Sequence, residues 1–166
     1  MPDASLAAEL LAVLAARGLT LAVAESLTGG LLVAEFVSVP GASAVVAGGV
    51  VAYQTPLKHS VLGVDEGLLA AHGAVHPAVA SQMARGVRRH LAVDGREADI
   101  GLSTTGVAGP DPQDGQPVGT VFLGVALGDD VDVVELHLEG DREAIRRASV
   151  SESLSALQRM LSRVGE

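Results

Sequence analysis

The chain has 166 residues, is 48% hydrophobic but only 2% aromatic, and carries a formal net charge of -9. Its length points to one domain, residues 1–166, with a core built from Ala, Val and Leu. The acidic balance excludes non-specific nucleic-acid binding, which needs a basic surface to displace counterions, and the lack of cysteine excludes a thiol nucleophile, a disulfide and a thiolate zinc site.

Leu6, Leu10, Val13 and Leu14 recur at helical spacing, so residues 4–17 read as a helix with Gly18 just past its end. A strand follows near residues 19–24, then a helix over about 27–38 that stops before Pro40-Gly41. Ala44 to Tyr53 is apolar with little alternation, as in a strand covered on both faces, and its Gly48-Gly49 pair suggests a bulge or a close backbone approach. This longest apolar run is too short for a membrane span and no signal peptide is recognised, so a cytoplasmic protein without membrane partners is expected.

Gln54 to Ser60 reads as a polar link that holds the chain's only lysine, Lys58. A short helix over 65–71 is stopped by Gly73, and Pro77 opens a longer one to about Leu91 with Val79, Met83, Val87 and Leu91 on its apolar face. Asp99 to Thr105 is a further strand. Gly106 to Gly119 is a long loop of Gly, Pro and Asp, and loops of that length are often functional. Val118–Leu127 and Val131–Leu138 read as a hairpin. A last helix over about 142–163 has Asp141 as its cap and Leu154, Leu157, Leu161 and Val164 on one face. Helices alternating with buried strands predict an α/β fold: a three-layer α/β/α sandwich with a mixed sheet of about five strands. The hairpin edge offers a surface for a homodimer.

The stretch Val23–Gly30 places a serine, a threonine and two glycines where a strand turns into a helix. Ser26 and Thr28 there are either helix caps or parts of a site that holds an anion or attacks a carbonyl. The pair Gly29-Gly30 weakens a first helical turn, which access for a ligand would compensate. A nucleophilic serine needs a base. Lys58 qualifies because lysine, unlike arginine, can lose its proton when burial lowers its pKa. It follows the second strand by a few residues, and carboxyl ends of neighbouring parallel strands open on one crevice. His59 is the rival base. Glu25 either orients Lys58 or faces the sheet end. His72 and His76 are separated by breakers that disfavour a zinc site, Asp111 and Asp114 are turn formers before they are cation ligands, and Arg142 with Arg146 is either a phosphate clamp or a charged helix face.

Several stretches in order carry a resemblance: Ala24–Gly30, Tyr53 with Lys58, Leu62–Val64, His72–Val75, Thr105–Asp111, Pro117–Val121 and Gly140–Arg142. Together they resemble the CinA C-terminal domain family, the nicotinamide mononucleotide (NMN) deamidases also called PncC. The resemblance covers nearly the whole chain and implies hydrolysis of the NMN carboxamide to nicotinate mononucleotide and ammonia, without metal or cofactor. It implies Ser26 as nucleophile, Lys58 as general base and Tyr53 as an aid to the proton relay or the substrate. It further implies a substrate site around Glu25, Thr28, Gly29, Gly30, Thr105, Gly106, Gly109 and Arg142, with oxyanion donors in the Thr28–Gly30 turn and Arg142 for the phosphate. The family's name suggests an alternative, a nucleotide-binding module without turnover tied to competence or DNA damage. The chain departs from the family pattern at Gln54–Leu57, at His76 and at Pro112, and the N-terminal domain of longer relatives is not expected here.

Overall fold

The computed structural model describes residues 5–165. The elements run α1 (Leu6–Arg17), β1 (Leu21–Glu25), α2 (Leu31–Val37), a 3-10 turn (Ala42–Ala44), β2 (Val46–Val51), α3 (Thr55–Leu62), α4 (Glu66–His72), α5 (Pro77–His90), β3 (Ile100–Gly106), β4 (Thr120–Leu127), β5 (Asp130–His137) and α6 (Arg142–Val164). The strands form one sheet in the order β2-β1-β3-β4-β5. β1 pairs in parallel with both β2 and β3, whereas β4 runs antiparallel to β3 and to β5. The sheet is therefore mixed, as the alternating helices and the terminal hairpin predict.

Two apolar clusters lie on opposite faces of the sheet. On one face Leu21 and Val23 of β1 meet Leu10 and Leu14 of α1, Phe36 of α2 and Leu157 of α6. On the other, Ala22 and Ala24 of the same strand meet Leu62 of α3, Leu69 of α4 and Val79, Met83 and Val87 of α5. This is the period-2 alternation of a strand covered on both sides, and it makes the three-layer α/β/α architecture. Within the helices, Leu11 rather than Val13 completes the buried face of α1, and Val164 lies exposed at the end of α6. The expected first helical residue, Ala4, lies outside the described residues; from there Ser5 caps α1 through its side chain and Gly18 ends it in the left-handed conformation. Among the described residues no helix is long and apolar enough to cross a membrane.

Three expectations need correction. β2 is not covered on both faces: it is an edge strand whose residues alternate between half-buried and exposed. The Gly48-Gly49 reading holds on both counts, since the register with β1 shifts beside Gly48, and a Cβ at Gly49 would come within 2.9 Å of Val33 on α2. The segment after β2 is not a polar link. It is helix α3, opened by Thr55-Pro56 and ended by Gly63 in the left-handed conformation.

The third correction concerns the start of α2, at Leu31 rather than near residue 27. Gly29 and Gly30 both have positive φ, 59° and 103°, so the chain makes a turn before it enters the helix. Neither Ser26 nor Thr28 caps α2. Glu25 does so: its two side-chain oxygens accept from the N–H groups of Leu32 (2.8 Å) and Val33 (3.1 Å), donors that a helix leaves without internal partners. Glu25 is fully buried. Replacing it by Gln leaves one of these donors facing an amide NH2, and Glu25→Gln is expected to lower stability by about 1–3 kcal/mol, measured as a shift in the urea midpoint at constant slope.

Candidate active site

The carboxyl ends of β1, β2 and β3 lie side by side, and Ala52 N–H extends the β1–β2 pairing by donating to Glu25 O (2.9 Å). From this edge Ser26 leaves β1 and α3 brings Lys58 back over the end of the sheet. Lys58 Nζ lies 3.0 Å from Ser26 Oγ, 2.8 Å from Ala52 O and 3.2 Å from Tyr53 O. The lysine is 1% exposed and the serine 8%. Burial lowers the Lys58 pKa from 10.5 to about 8, against the charge of Asp114, which raises it. At pH 7 about one lysine in ten is then neutral.

This arrangement suits a base. A neutral amine has two N–H groups and one lone pair. Two fixed carbonyls take the N–H groups, which leaves the lone pair for the Ser26 hydroxyl. The rival base is turned elsewhere: the His59 ring donates from Nδ1 to Val64 O (2.7 Å). Ser26 is itself anchored through its N–H, which donates to Thr104 O (3.1 Å) and to Thr104 Oγ1 (3.3 Å).

Ser26 opens on a cleft of about 240 Å³ lined by Tyr53, Thr105, Gly106, Gly109 and Arg142, among others. These residues, predicted from scattered motifs, do share one cavity. Thr105 is fixed by donating from its hydroxyl to Ala74 O (2.7 Å). Arg142 is exposed at the mouth, where it donates to Gly109 O (2.6 Å) and to the Tyr53 hydroxyl oxygen (2.9 Å). Tyr53 thus meets Lys58 through its carbonyl and the arginine through its phenol.

The remaining predicted contacts are not in the cavity. Glu25 is committed to α2; it makes no hydrogen bond to Lys58 and does not line the cleft. Thr28 is fully buried with its hydroxyl on Thr104 Oγ1 (2.8 Å), and neither it nor Gly29 nor Gly30 lines the cleft. The Gly29 N–H is already given to Ser26 O (3.1 Å). The turn faces α6 instead, where Arg146 donates to Leu27 O (2.9 Å) and Thr28 O (3.2 Å) and pairs with Glu143. One turn of α6 therefore separates two different tasks: Arg142 serves the cavity and Arg146 braces the serine turn.

Other sequence candidates resolve as structural groups. His72 and His76 stack with ring centroids 4.7 Å apart, and His76 caps α5 by accepting from Ala78 N–H (3.1 Å). Asp114 accepts from Ala74 N–H (3.0 Å), holding the loop against the Thr105 side of the cleft. Sequence reasoning missed Thr104 and the carbonyls of Ala52 and Tyr53, and it read Arg146 as a phosphate clamp or a charged face rather than as the brace of the serine turn. The missed groups act through backbone atoms or through a threonine inside an apolar strand.

Comparison with known proteins agrees with this fold. The CinA C-terminal domain family matches residues 3–161. A CinA-like protein of Frankia casuarinae is 51% identical over 160 residues, which is 96% of this chain but 36% of that longer protein. The chain thus spans about a third of such relatives. A crystal structure of a CinA superfamily protein from Klebsiella pneumoniae superposes with a TM-score of 0.89 at 32% identity, covering 95% of this chain and 96% of that one. The competence damage-inducible protein A of Klebsiella pneumoniae subsp. pneumoniae gives 0.87 at 35% identity, covering 95% of each chain. The five-stranded mixed sheet matches these structures, and the family match runs along nearly the whole length: the chain belongs to the CinA C-terminal domain family.

Proposed function

We propose that this domain is an amidohydrolase that forms an acyl-enzyme on Ser26 with Lys58 as general base, and that its substrate is NMN. The observation that carries the reading is the placement of Lys58 Nζ 3.0 Å from Ser26 Oγ, with both its other bonds directed to main-chain carbonyls. The lysine takes the Ser26 proton as Oγ attacks the carboxamide carbon. The ammonium that results gives its proton to the departing nitrogen, and ammonia leaves as the C–N bond breaks. Lys58 then deprotonates a water that attacks the ester, and Ser26 recovers its proton as nicotinate mononucleotide is released. Serine–lysine pairs are a recurring variant of this chemistry.

The cleft is at the small end for a ligand pocket. It takes the pyridine amide inside and leaves the phosphate toward the mouth, beside Arg142. A guanidinium fits phosphate geometry. Arg142→Ala is expected to raise KM for NMN about 10- to 100-fold with kcat changed far less, because the phosphate is bound alike in ground and transition states; steady-state kinetics checks this. The proposal itself is tested by incubating the protein with NMN and measuring ammonia and nicotinate mononucleotide together. Equimolar release supports it. Binding of NMN without release of either product is the result that a nucleotide-binding module would give, and it would refute the amidohydrolase.

A further inference from the structure

An oxyanion forms when Ser26 attacks a carbonyl; among the described residues Lys58 is given to the serine oxygen and two carbonyls, and Arg142 stands at the mouth on Gly109 O and the Tyr53 hydroxyl. We infer that the backbone N–H groups of Leu27 and Gly106 form the oxyanion site, an assignment that rests on the acyl-enzyme reading above.

The β1–β3 ladder sets where the Gly106 N–H points. Ile100 N–H donates to Thr20 O (2.9 Å), and Ser26 N–H donates to Thr104 O (3.1 Å). Parallel rungs advance two residues at a time on each strand, so the rung from Ile100 to Thr20 repeats until Gly106 N–H would meet Ser26 O. That last rung is not made. The chain turns off at Ser26, whose carbonyl accepts from Gly29 N–H instead. β4 offers no substitute, since it is Val107 that donates across to Thr120 O (2.9 Å), and alternation turns the Gly106 N–H the other way. Among the described residues Gly106 N–H has no acceptor, and neither has Leu27 N–H. Both residues line the cleft beside Ser26.

The other N–H groups of the turn fail one requirement each. Those of Ser26 and Gly29 are used. Thr28 and Gly30 do not line the cleft. The two remaining donors belong to the residue after the nucleophile and to the end of the neighbouring strand, so they converge on the serine from two sides. Neutral donors held by the fold need no rearrangement when charge develops, which is what such a site requires.

The test replaces single amides by esters, installing the α-hydroxy acid analogues of leucine at 27 and of glycine at 106, with the same exchange at Gly30 as control. Each exchange removes one N–H and keeps the side chain. The readout is the rate at which a fluorophosphonate modifies Ser26. In that step the Oγ–P bond forms, fluoride leaves and Lys58 takes the proton, so it depends on the oxyanion donors but not on NMN. The Leu27 and Gly106 esters are expected to react about 10²- to 10³-fold more slowly than the parent, and the Gly30 ester within about threefold of it. Melting temperatures are compared in parallel, and if one ester does not fold the other decides. Parent-like rates in the folded Leu27 and Gly106 esters, equal loss in the Gly30 ester, or a parent that is not modified at Ser26 would overturn the assignment. A parent modified at Ser26 that releases no ammonia from NMN removes the substrate reading and leaves this one standing.

Discussion

Ser26→Ala is expected to abolish ammonia release from NMN, lowering kcat by about 10⁴-fold or more, as loss of a covalent nucleophile does in serine hydrolases. The fold should tolerate the change. Ser26 Oγ has Lys58 as its partner, and the backbone that sets the turn is held by other atoms: Ser26 N–H on Thr104, Gly29 N–H on Ser26 O, and Arg146 on Leu27 O and Thr28 O. Removing the hydroxyl leaves Lys58 with its two carbonyl acceptors, so stability should shift by no more than about 1 kcal/mol. Calorimetric binding of NMN to the variant, together with the lost turnover, separates nucleophile from ligand contact. Residual activity within tenfold of the parent would mean that Ser26 is not the nucleophile.

Lys58→Met is expected to be comparably inactive, and it carries a second signature in stability. Because burial holds the folded pKa at about 8 against 10.5 for free lysine, the unfolded chain binds more protons than the folded one between those values. Parent stability therefore rises with pH through that window. The shift corresponds to about 3 kcal/mol across it. Methionine has no such term. Below pH 8 the variant stands highest relative to the parent, and the parent gains on it up to about pH 10.5. Loss of the donors to Ala52 O and Tyr53 O moves the offset between the two curves but not this slope. Urea denaturation of both proteins at pH 7 and pH 10 checks the sign. A buried lysine whose charged form costs stability is the usual trade at a functional site.

Much of the frame was legible because it is written in local patterns. The apolar runs at β1, β3 and β4, the hairpin and the Pro77 helix follow from periodicity and turn residues, and they place Ser26 and Lys58 at one sheet edge by topology alone. α3 was not legible for a physical reason. Hydropathy treats Lys58 as a solvent-facing residue, yet its side chain points into the protein, so a helix with a buried charge carrier reads as a polar link. Glu25 misled in a similar way. A charged residue beside a candidate nucleophile looks like part of the chemistry, but its partners are the first N–H groups of α2, seven and eight residues on, beyond the turn that Gly29 and Gly30 make. Arg142 and Arg146 share one helix face, and only the neighbouring backbone tells them apart: Gly109 O beside one, Leu27 O and Thr28 O beside the other. The Leu27 and Gly106 N–H groups proposed for the oxyanion differ from the Thr28–Gly30 donors that the resemblance implies, because the unmade rung that singles out Gly106 leaves no mark on the local sequence.

The central claim is that Lys58 reaches Ser26 as a neutral amine near physiological pH. Lys58 is the only lysine of the chain, so protein labelled with ¹⁵N-lysine gives a single side-chain amine signal, that of Lys58. Its titration by NMR, followed beside kcat/KM for NMN, is the direct measurement. A midpoint near pH 8, with kcat/KM rising about tenfold per pH unit below it and levelling above, is the predicted result. A midpoint near 10.5, or a rate profile that ignores the titration, would contradict the account.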